Sequence, residues 1–561
     1  MKVILTTLNA KYIHTSLALR WLYVANKDRF NLSFKEYVNK EEVRTIADDL
    51  LLPDPDIIGI SVSIWNVIKT GELIRLLKKK KPDLIILVGG PEVNYEPAYF
   101  LQNWPIDYVI SGEGEFILGD LLSALSEGRS TVMDSVSSPG FISKKIAKAD
   151  LERLATLPSP YLLEEDQNER LNRLVYFETS RGCPYQCAYC LSSLEKNVRY
   201  FPQSYIKQNL DDLFRQGVRQ IKFLDRTFNL NKKHTYSVFD FLIRKHRTGV
   251  SCQFEIYADL LDDEMINYLN EELPQHYFRF EIGIQSTYEP TNEAVRRKQN
   301  FKQLSDNVKK LMVGGKVDLH LDLIAGLPYE TLEHFKRSFD DVFSLRAKEV
   351  QLGFLKLLRG TALRQSAGQY GYRYNEQAPY EIQSNNAITA DELSRIHDVE
   401  HALEKYWNSG KFKRTMQQLF SVFYKDAYFE LFDQIGQFYR EQQLPHYGYH
   451  LEDIFLNLHT FLLSKGIDLF DELRTDYYCC FKIRPHGFWH NPLEKKARKQ
   501  LLYHIGNDKL FLKRHSLTRR IIEKQTAIDP MEANHYLLTV FCADGSRENP
   551  LFINYVFKKG E

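Results

Sequence analysis

The sequence lacks the features that place a chain in a membrane or outside the cell. No apolar run approaches the roughly 18–20 residues needed to cross a bilayer. The first residues, Met1–Asn9, have no signal-peptide core and are typical of a strand. Only 7 of 561 residues are cysteine, and three of them share one short motif, which does not fit a disulfide framework. We therefore expect a reduced, cytoplasmic protein without a membrane partner.

The sequence also lacks an excess of charge of either sign. It contains 74 Lys and Arg against 73 Asp and Glu, so the net charge of +1 does not point to any class of partner. With 43% hydrophobic residues the chain can build large cores. Its length corresponds to roughly three or four domains of about 150 residues each.

Three cysteines form the most informative motif. Cys183, Cys187 and Cys190 are spaced C-x3-C-x2-C and follow a predicted strand, Leu174–Thr179. Thiolate is the ligand of iron–sulfur clusters, and three thiols on one loop can hold three irons of a 4Fe–4S cluster, with the fourth iron open to a small molecule. The alternative is a zinc knuckle, which needs a fourth Cys or His that no nearby residue supplies.

Residues 1–125 alternate strands and helices in the pattern of a doubly wound α/β sheet. Ligands of such sheets lie beyond the carboxyl ends of the strands. No G-x-G-x-x-G follows the first strand, which argues against NAD or FAD. The candidate binding residues in these loops are Asn9, His14, Ser63, Trp65, Asn66, Gly89, Gly90, Glu92, Gly112, Glu113 and Gly114.

Residues 126–172 are expected to form a structured connector, because the prolines of Leu157-Pro-Ser-Pro160 stiffen it. A short strand is predicted at Phe141-Ile-Ser-Lys144. Residues 173–364 then contain six strand–helix units, which predict an open, partial barrel with its chemistry at the carboxyl ends of the strands. The predicted strands are Leu174–Thr179, Gln220–Leu224, Gln253–Tyr257, Arg279–Ile284, Asp318–Ile324 and Glu349–Leu357.

Motifs at these strand ends occur in a fixed order after the cysteines: Phe223–Asn229, Glu281–Ser286, Leu323–Pro328 and Phe354–Thr361. Together with the cysteine motif and the aromatic Tyr189 inside it, they resemble the radical SAM superfamily. The pair GGPE and SGEGE, at residues 89–92 and 111–115, resembles the cobalamin-binding domain that precedes the barrel in cobalamin-dependent radical SAM enzymes. The resemblance covers residues 1–365.

This resemblance implies three cofactors: a 4Fe–4S cluster, S-adenosylmethionine and cobalamin. S-adenosylmethionine would chelate the open iron, and its reductive cleavage would give a 5′-deoxyadenosyl radical. By position, the resemblance places Tyr189 at the adenine, Gln285 and Ser286 near the ribose or carboxylate, and the backbone around Gly326 and Leu327 at the adenosine. It assigns Asp225, Thr227, Glu255 and Tyr257 to the same pocket.

Two positions depart from the family pattern. The D-x-H-x-x-G motif is missing, and Asn9–Ser16 stands in its place; either His14 ligates cobalt, or it is a hydrogen-bonding loop residue and the lower cobalt face has no histidine. Tyr257 stands where many relatives carry an Arg that pairs with the carboxylate of S-adenosylmethionine. Arg181, Arg226 and Lys356 are the candidates to replace that contact.

Residues 365–561 are predicted to be mainly helical, with helices at Asp391–Lys405, Lys413–Phe432, Gln434–Gln443 and Leu451–Lys465. A terminal hairpin is predicted from Tyr536–Phe541 and Leu551–Phe557 around Asp544-Gly545. Phe481–Lys524 holds twelve Lys or Arg against three acidic residues, mixed with aromatics. Such a mixture can bind nucleic acid, and a solvated face is the alternative. Adjacent Cys479 and Cys480 do not predict a second cluster.

The expected architecture is therefore α/β: a Rossmann-like cobalamin-binding domain (1–125), a connector (126–172), a partial (β/α)6 radical SAM barrel (173–364) and a mainly helical domain (365–561). The expected function is methylation of an unactivated carbon of an unknown substrate, a small molecule or RNA, with an electron donor such as flavodoxin or ferredoxin. Alternatives are a radical rearrangement or ring formation without methyl transfer, or a nucleic-acid-binding or cofactor-sensing protein with a structural cluster. The oligomeric state stays open.

Overall fold

Two six-stranded sheets organise the first of two compact units, Met1–Leu393, in a computed structural model that describes residues 1–481, 493–532, 534–541 and 550–557. The second unit is Ser394–Glu561. The domain boundaries within the first unit stay a prediction. Among the described residues, no helix is long and apolar enough to cross a membrane.

The first sheet has the strand order β2-β1-β3-β4-β5-β6, in which β1 to β5 are parallel and β6 is antiparallel. Buried apolar clusters cover both of its faces, so the prediction of a doubly wound sheet is confirmed. Its elements are β1 Lys2–Asn9, α1 Leu17–Asn26, β2 Asn31–Val38, α2 Val43–Leu51, β3 Ile57–Ser61, α3 Val67–Lys80, β4 Ile85–Gly89, α4 Pro97–Asn103, β5 Tyr108–Ile110, α5 Glu115–Ser126 and β6 Val136–Ser137.

Hydrogen bonds join the segment after this sheet to the first helix and the second strand. A buried guanidinium, that of Arg20, donates to Asp166 at 2.6 Å and to Glu36 at 2.9 Å, and such paired charged hydrogen bonds orient both partners. The helix α6, Leu151–Leu154, lies between β6 and Asp166 in the chain. The prediction of a strand at Phe141–Lys144 is wrong. The strand in this region is β6, Val136–Ser137, and Phe141 forms only a single bridge with Ser138.

The second sheet is all parallel, with the order β14-β13-β12-β11-β10-β7, and it confirms the open barrel of six strands. Phe254 and Phe278 meet edge to face and both contact Phe239 of the helix Lys232–Arg244, so they bury the face of the sheet that the helices cover. Its elements are β7 Val175–Phe177, β8 Ser180–Arg181, β9 Arg199–Tyr200, α7 Gln203–Arg215, β10 Gln220–Phe223, α8 Lys232–Arg244, β11 Ser251–Ile256, α9 Asp263–Glu272, β12 Phe278–Gln285, α10 Glu289–Ala294, α11 Phe301–Gly314, β13 Asp318–Ala325, α12 Leu332–Phe343, β14 Glu349–Phe354, α13 Ala362–Gln365, β15 Arg373–Tyr374 and β16 Ile382–Ser384.

The second unit is mainly helical, as predicted, with a three-stranded antiparallel sheet near its end. Strands β18 and β19 pair as the predicted hairpin requires. Asp544-Gly545 and Lys482, Arg484, Phe488, Trp489 and His490 lie outside the described residues. The elements are α14 Ala390–Leu403, α15 Lys413–Gln418, α16 Tyr428–Glu441, α17 Leu451–Ser464, α18 Phe470–Cys480, α19 Lys495–Asn507, α20 Lys509–His515, α21 Arg519–Lys524, β17 Thr526–Glu532, β18 His535–Val540 and β19 Leu551–Val556.

One predicted helix boundary in this unit is wrong. The helix expected over Lys413–Phe432 ends in a π-helical turn, Leu419–Phe423, and α16 then runs through the break expected near Asp433. The buried side chains Phe429, Phe432 and Ile435 continue at helical spacing across that point, so their shared packing face sets the helix.

A buried carboxyl joins two strand ends of the barrel. Glu330 follows β13 and accepts hydrogen bonds from the hydroxyls of Ser286 and Ser338, the latter at 3.1 Å. Its other oxygen has no hydrogen-bond partner among residues 1–481. Burial raises the pKa of Glu330 to about 8, so this side chain keeps its proton near neutrality.

We predict that this carboxyl makes the stability pH-dependent. Its folded pKa lies above the unfolded value, so the free energy of unfolding falls as the pH rises from about 4.5 to about 8, by roughly 1.4 kcal/mol per unit of pKa shift. Glu330→Gln should flatten this fall in urea denaturation measured between pH 5 and 8.5. The exposed Glu333→Gln serves as the control. Profiles of Glu330→Gln that superimpose on the unmodified chain would contradict the prediction.

Candidate active site

Two cavities adjoin in the first unit. One of about 410 Å³, here cavity 1, lies beyond the carboxyl ends of β3, β4 and β5 and also touches the barrel. The other, cavity 2, measures about 280 Å³ and is lined in part by the three cysteines of the motif. Ser192 and Arg226 line both cavities, so a molecule in one lies next to a molecule in the other.

The cysteine loop is carried by a short ribbon at the end of the first barrel strand. Strands β8 and β9 pair antiparallel, and the loop between them carries all three cysteines. Cys183 and Cys187 are buried, Cys190 is half-buried, and none forms a disulfide. Burial raises the pKa of Cys183.

The described residues contain no cluster of three Cys, His, Asp or Glu side chains placed to hold one metal ion. The zinc alternative requires such convergence. A 4Fe–4S cluster takes one thiolate per iron and spreads the three sulfurs apart.

A buried guanidinium stands beside the cysteines. Arg297 is 8% exposed, and its Nη1 lies 3.0 Å from the Tyr257 hydroxyl, 3.2 Å from the Tyr189 hydroxyl and 3.9 Å from the Cys187 sulfur. The ring of Tyr257 stacks on Tyr185, with 4.1 Å between centroids. Burial raises the pKa of both Tyr189 and Tyr257, which keeps these phenols protonated. Arg297 thus places a cation beside Tyr257, the position on the third strand at which many relatives carry an arginine.

Sequence reasoning missed Arg297 because it comes from the loop after α10 and not from a strand end. Of the three residues expected to replace the strand arginine, two lie outside the lining of cavity 2 and one, Arg226, lies at its border with cavity 1. Arg181 pairs with Glu178 at 2.7 Å and Glu115 at 2.8 Å. Lys356 forms a backbone bridge with Glu381. Arg226 borders both cavities, 3.7 Å from Glu255.

The other residues predicted for the S-adenosylmethionine pocket form two groups, of which the first lines cavity 2 and the second lies outside its lining. Tyr189, Glu255, Tyr257 and Gln285 line it together with the three cysteines, and burial raises the pKa of Glu255. The strands also bring in Glu281 and Asp322, which were not singled out from the sequence.

Five predicted residues support the cavity from outside its lining. Asp225, whose pKa burial raises to about 6, accepts from the backbone and hydroxyl of Thr179 at 3.0 and 2.6 Å. Thr227 lies 3.9 Å from the Cys183 sulfur. Ser286 donates to Glu330, and the carbonyls of Gly326 and Leu327 accept from Asn385 at 3.0 and 3.4 Å.

Glycines form one wall of cavity 1. Gly89, Gly90, Gly112 and Gly114 all line it, with Glu113 between the last two. Gly90 has φ +104°, and a Cβ there would lie 2.9 Å from the backbone nitrogen of Val62. Gly112, with φ +96°, is equally crowded by the backbone of Ala147. These loops bring bare backbone to the cavity, as predicted for a large ligand.

The acidic residues of the same loops turn toward the barrel. Glu113 pairs with Arg199 and lies 3.1 Å from Arg181; burial alone would raise the pKa of Glu113, but the two cations lower it below its usual range. Glu92 does not line cavity 1. It accepts from the Tyr380 hydroxyl and pairs with Arg359 at 3.3 Å.

The remaining predicted residues hold the strand ends of the first sheet together. Asn66 donates to the carbonyl of Leu8 at 3.0 Å and accepts from the backbone of Ser63 at 2.8 Å. Trp65 donates to the same Leu8 carbonyl at 3.1 Å. Asn9 donates to the His14 carbonyl at 3.1 Å.

His14 has a protein partner. Its Nδ1 lies 2.7 Å from the Tyr176 hydroxyl, and burial lowers its pKa. Within residues 1–481, the lining of cavity 1 includes neither His14 nor another histidine. This geometry favours the hydrogen-bonding alternative over cobalt ligation.

Three family models match the chain. A B12 binding domain covers residues 3–122, the Radical SAM superfamily covers residues 177–342, and a family described as "Protein of unknown function (DUF4080)" covers residues 368–544. The first two fall on the sheets that border cavities 1 and 2.

Two curated proteins illustrate the similarity. An uncharacterized methyltransferase of Pyrococcus horikoshii is 27% identical over 300 residues, 50% of this chain and 62% of that protein. The cobalamin-dependent radical SAM methyltransferase TokK of Streptomyces tokunonensis is 25% identical over 316 residues, 52% of this chain and 45% of that protein. The chain thus spans less than two thirds of these relatives' length.

Solved structures share the fold at low identity. OxsB, a cobalamin-dependent S-adenosylmethionine radical enzyme with aqua-cobalamin bound, gives a TM-score of 0.62 at 16% identity over 90% of this chain and 84% of that one. TsrM of Kitasatospora setae, a radical S-adenosylmethionine methyltransferase, gives 0.56 at 18% identity over 67% and 79%. The chain therefore contains a B12-binding domain followed by a radical SAM domain and a DUF4080 region, and it is similar to cobalamin-dependent radical SAM enzymes.

Proposed function

We propose that this chain holds a 4Fe–4S cluster, S-adenosylmethionine and cobalamin, and methylates an unactivated carbon of a substrate whose identity the site leaves open. The observation that carries the proposal is the shared border of the two cavities at Ser192 and Arg226. When bound, the cluster supplies the electron that cleaves S-adenosylmethionine, and cobalamin supplies the methyl group. The electron itself comes from an external donor such as flavodoxin or ferredoxin.

The residues of cavity 2 fit a cluster with S-adenosylmethionine. Cys183, Cys187 and Cys190 provide the three thiolates, and Arg297 provides a cation for the carboxylate of the methionine moiety. Gln285 has the strained backbone angle φ +71°, and its buried Oε1 has no hydrogen-bond partner among residues 1–481. Strain of this kind persists where a ligand needs it. We assign Gln285 to an amino or hydroxyl group of S-adenosylmethionine.

The residues of cavity 1 fit a corrin. The glycine loops leave room for a flat ring, and apolar side chains such as Leu5, Leu17 and Leu118 face it. Ser111 Oγ and Glu115 Oε2, next to the glycine loop, are buried without a hydrogen-bond partner among residues 1–481. Among the described residues that line cavity 1 none is a histidine, so we propose that a corrin would be held there by the glycine backbone and the apolar wall.

The border between the cavities positions the substrate. A reacting carbon has to meet both cofactors at near-contact distance, and water has to be kept out of that space. Arg226 is about half exposed and is held only loosely by Glu255 at 3.7 Å. Its guanidinium is therefore available to orient the substrate at the border.

The cysteines provide the first test. After anaerobic reconstitution, the chain should bind about four irons and release 5′-deoxyadenosine when reduced in the presence of S-adenosylmethionine. Cys183→Ala should lose most of the iron and all detectable 5′-deoxyadenosine, because a cluster ligand is gone. The exposed Cys479→Ser should behave as the unmodified chain.

Product analysis separates the alternatives. S-adenosylhomocysteine alongside 5′-deoxyadenosine supports methyl transfer. Deoxyadenosine without S-adenosylhomocysteine, in the presence of cobalamin and substrate fractions, favours rearrangement or ring formation. A loaded chain that yields no deoxyadenosine under any of these conditions contradicts the enzyme proposal itself.

Arg297 provides a second test. Arg297→Met should weaken S-adenosylmethionine binding to the cluster-loaded chain by about 10–100-fold, since a charged hydrogen bond contributes about 1.5–3 kcal/mol. Arg297→Lys should recover part of the loss. The adjacent, exposed Arg296→Met is the matched control. Equilibrium dialysis measures the binding, and unchanged affinity in Arg297→Met with full iron content would refute the assignment.

Gly114 provides a test of cavity 1 alone. It has an ordinary φ of −87°, and a Cβ would make only van der Waals contacts at 3.4 and 3.5 Å, so a larger side chain there would project into the cavity. Gly114→Leu should lower the cobalt bound per chain at least about tenfold and leave the iron unchanged. Gly368→Leu, at a glycine with open space around it, is the control. Full cobalt binding by Gly114→Leu would place the corrin elsewhere.

A further inference from the structure

The second unit contains a cavity of its own, of about 360 Å³, here cavity 3. It is formed by the end of α14, the π-helical turn Glu404–Asn408, the loop before α15 and the start of α17. Phe412, Leu451, Ile454 and Phe455 provide its apolar surface. The radical chemistry proposed above uses none of these residues.

Lys405 brings an unpaired charge into cavity 3. Its ammonium lies 5.2 Å from the ring centroid of Tyr439 and 5.7 Å from that of Tyr449, and it donates weakly to the His401 carbonyl at 3.4 Å. No carboxylate lies within ion-pairing distance of it among the described residues. Burial lowers the pKa of Lys405, because the charge has lost water without gaining a full counter-charge.

Two carboxylates, Glu400 and Glu404, also line cavity 3, and both lie close enough to Lys405 to offset part of the effect of its burial. Glu404 accepts from the side-chain amide of Asn408 at 2.7 Å. Glu400 lies 3.3 Å from Nδ1 of His401. Lys411 lines the cavity beside Lys405, so two ammonium groups are available as donors to a ligand there.

Two histidines add a neutral polar wall. His401 and His446 stack with 4.2 Å between ring centroids, and burial lowers the pKa of His401 to about 4. Nδ1 of His446 is buried without a hydrogen-bond partner among the described residues. Nε2 of His446 lies 3.5 Å from Asp398, so Nδ1 is left as an acceptor that only a hydrogen-bond donor of a ligand would satisfy.

The backbone is irregular at this point. Lys405 lies in a π-helical turn, which interrupts the regular hydrogen bonding of α14, and such turns are frequent at functional sites. The turn moves the lysine out of helical register. Irregularity, a desolvated cation and an orphan nitrogen thus converge on one cavity.

We propose that cavity 3 binds a small organic anion, a carboxylate or a phosphate monoester attached to an apolar or aromatic body. The acidic group meets Lys405, with Lys411 in support. The apolar body packs against Phe412 and Phe455. This inference does not depend on the proposed methyl transfer.

Simple aromatic probes test the proposal on the full-length, cluster-loaded chain. Benzoate and phenyl phosphate carry the two acidic groups, and benzylamine and benzyl alcohol carry the same ring with a positive charge or none. By isothermal titration calorimetry, at least one of the two anions should bind more than about tenfold tighter than the amine and the alcohol. The tighter anion identifies the carboxylate or the phosphate as the natural acidic group.

Variants at one position assign the binding to cavity 3. Lys405→Met keeps most of the side-chain stem and should weaken the anion at least about tenfold, whereas Lys405→Arg should retain it. Lys425→Met, at an exposed lysine outside the cavity, is the control. Thermal unfolding and iron content verify that each variant is folded. Equal binding of benzylamine, or unchanged anion binding in Lys405→Met, would overturn the proposal.

Discussion

A buried ionic network joins the two sheets of the first unit, and both cavities depend on it. Arg181, in the ribbon that carries the cysteine loop, contacts Glu113 and Glu115 from the glycine loop of the first sheet. It also pairs with Glu178, which accepts from the indole of the buried Trp21 at 2.6 Å. Removing one partner from such a network leaves uncompensated charge and costs about 3–5 kcal/mol. The cysteine loop and the glycine loop are thus fixed against each other.

The charge balance of this network is consistent with its burial. Two cations, Arg181 and Arg199, face three carboxylates. Burial and the neighbouring Glu178 and Glu113 raise the pKa of Glu115, while the pKa of Glu113 is lowered. The raised pKa makes Glu115 easier to protonate than a free carboxyl group, and a proton there would reduce the excess of negative charge in the network. A second contact, from Glu92 to Arg359, acts at the neighbouring glycine loop.

Much of this fold follows from sequence pattern, and the limits of the pattern have physical causes. Continuous apolar strands and strand-end motifs were enough to predict both sheets and the cysteine loop, because periodicity reports burial directly. Side-chain direction within a loop does not follow from periodicity. Glu92 and Gly90 are two residues apart, yet the glycine lines cavity 1 and the acid pairs with the barrel. His14 likewise turns to Tyr176 because a phenol from the next domain, invisible in local sequence, lies within reach.

The pairing of Tyr257 with Arg297 explains how the site departs from the family pattern and retains a cation. An arginine on the third strand would carry its charge on a rigid element. Here the end of that strand carries the phenol of Tyr257, and the guanidinium belongs to Arg297 in the loop after α10. The Tyr257 and Tyr189 hydroxyls accept from Arg297 at 3.0 and 3.2 Å, and its other nitrogen donates to the Gly283 carbonyl. A planar guanidinium held at three points loses little further entropy when a carboxylate binds. The loop position therefore sacrifices little rigidity, since Gly283 of β12, Tyr257 directly after β11 and Tyr189 of the cysteine loop hold the guanidinium together.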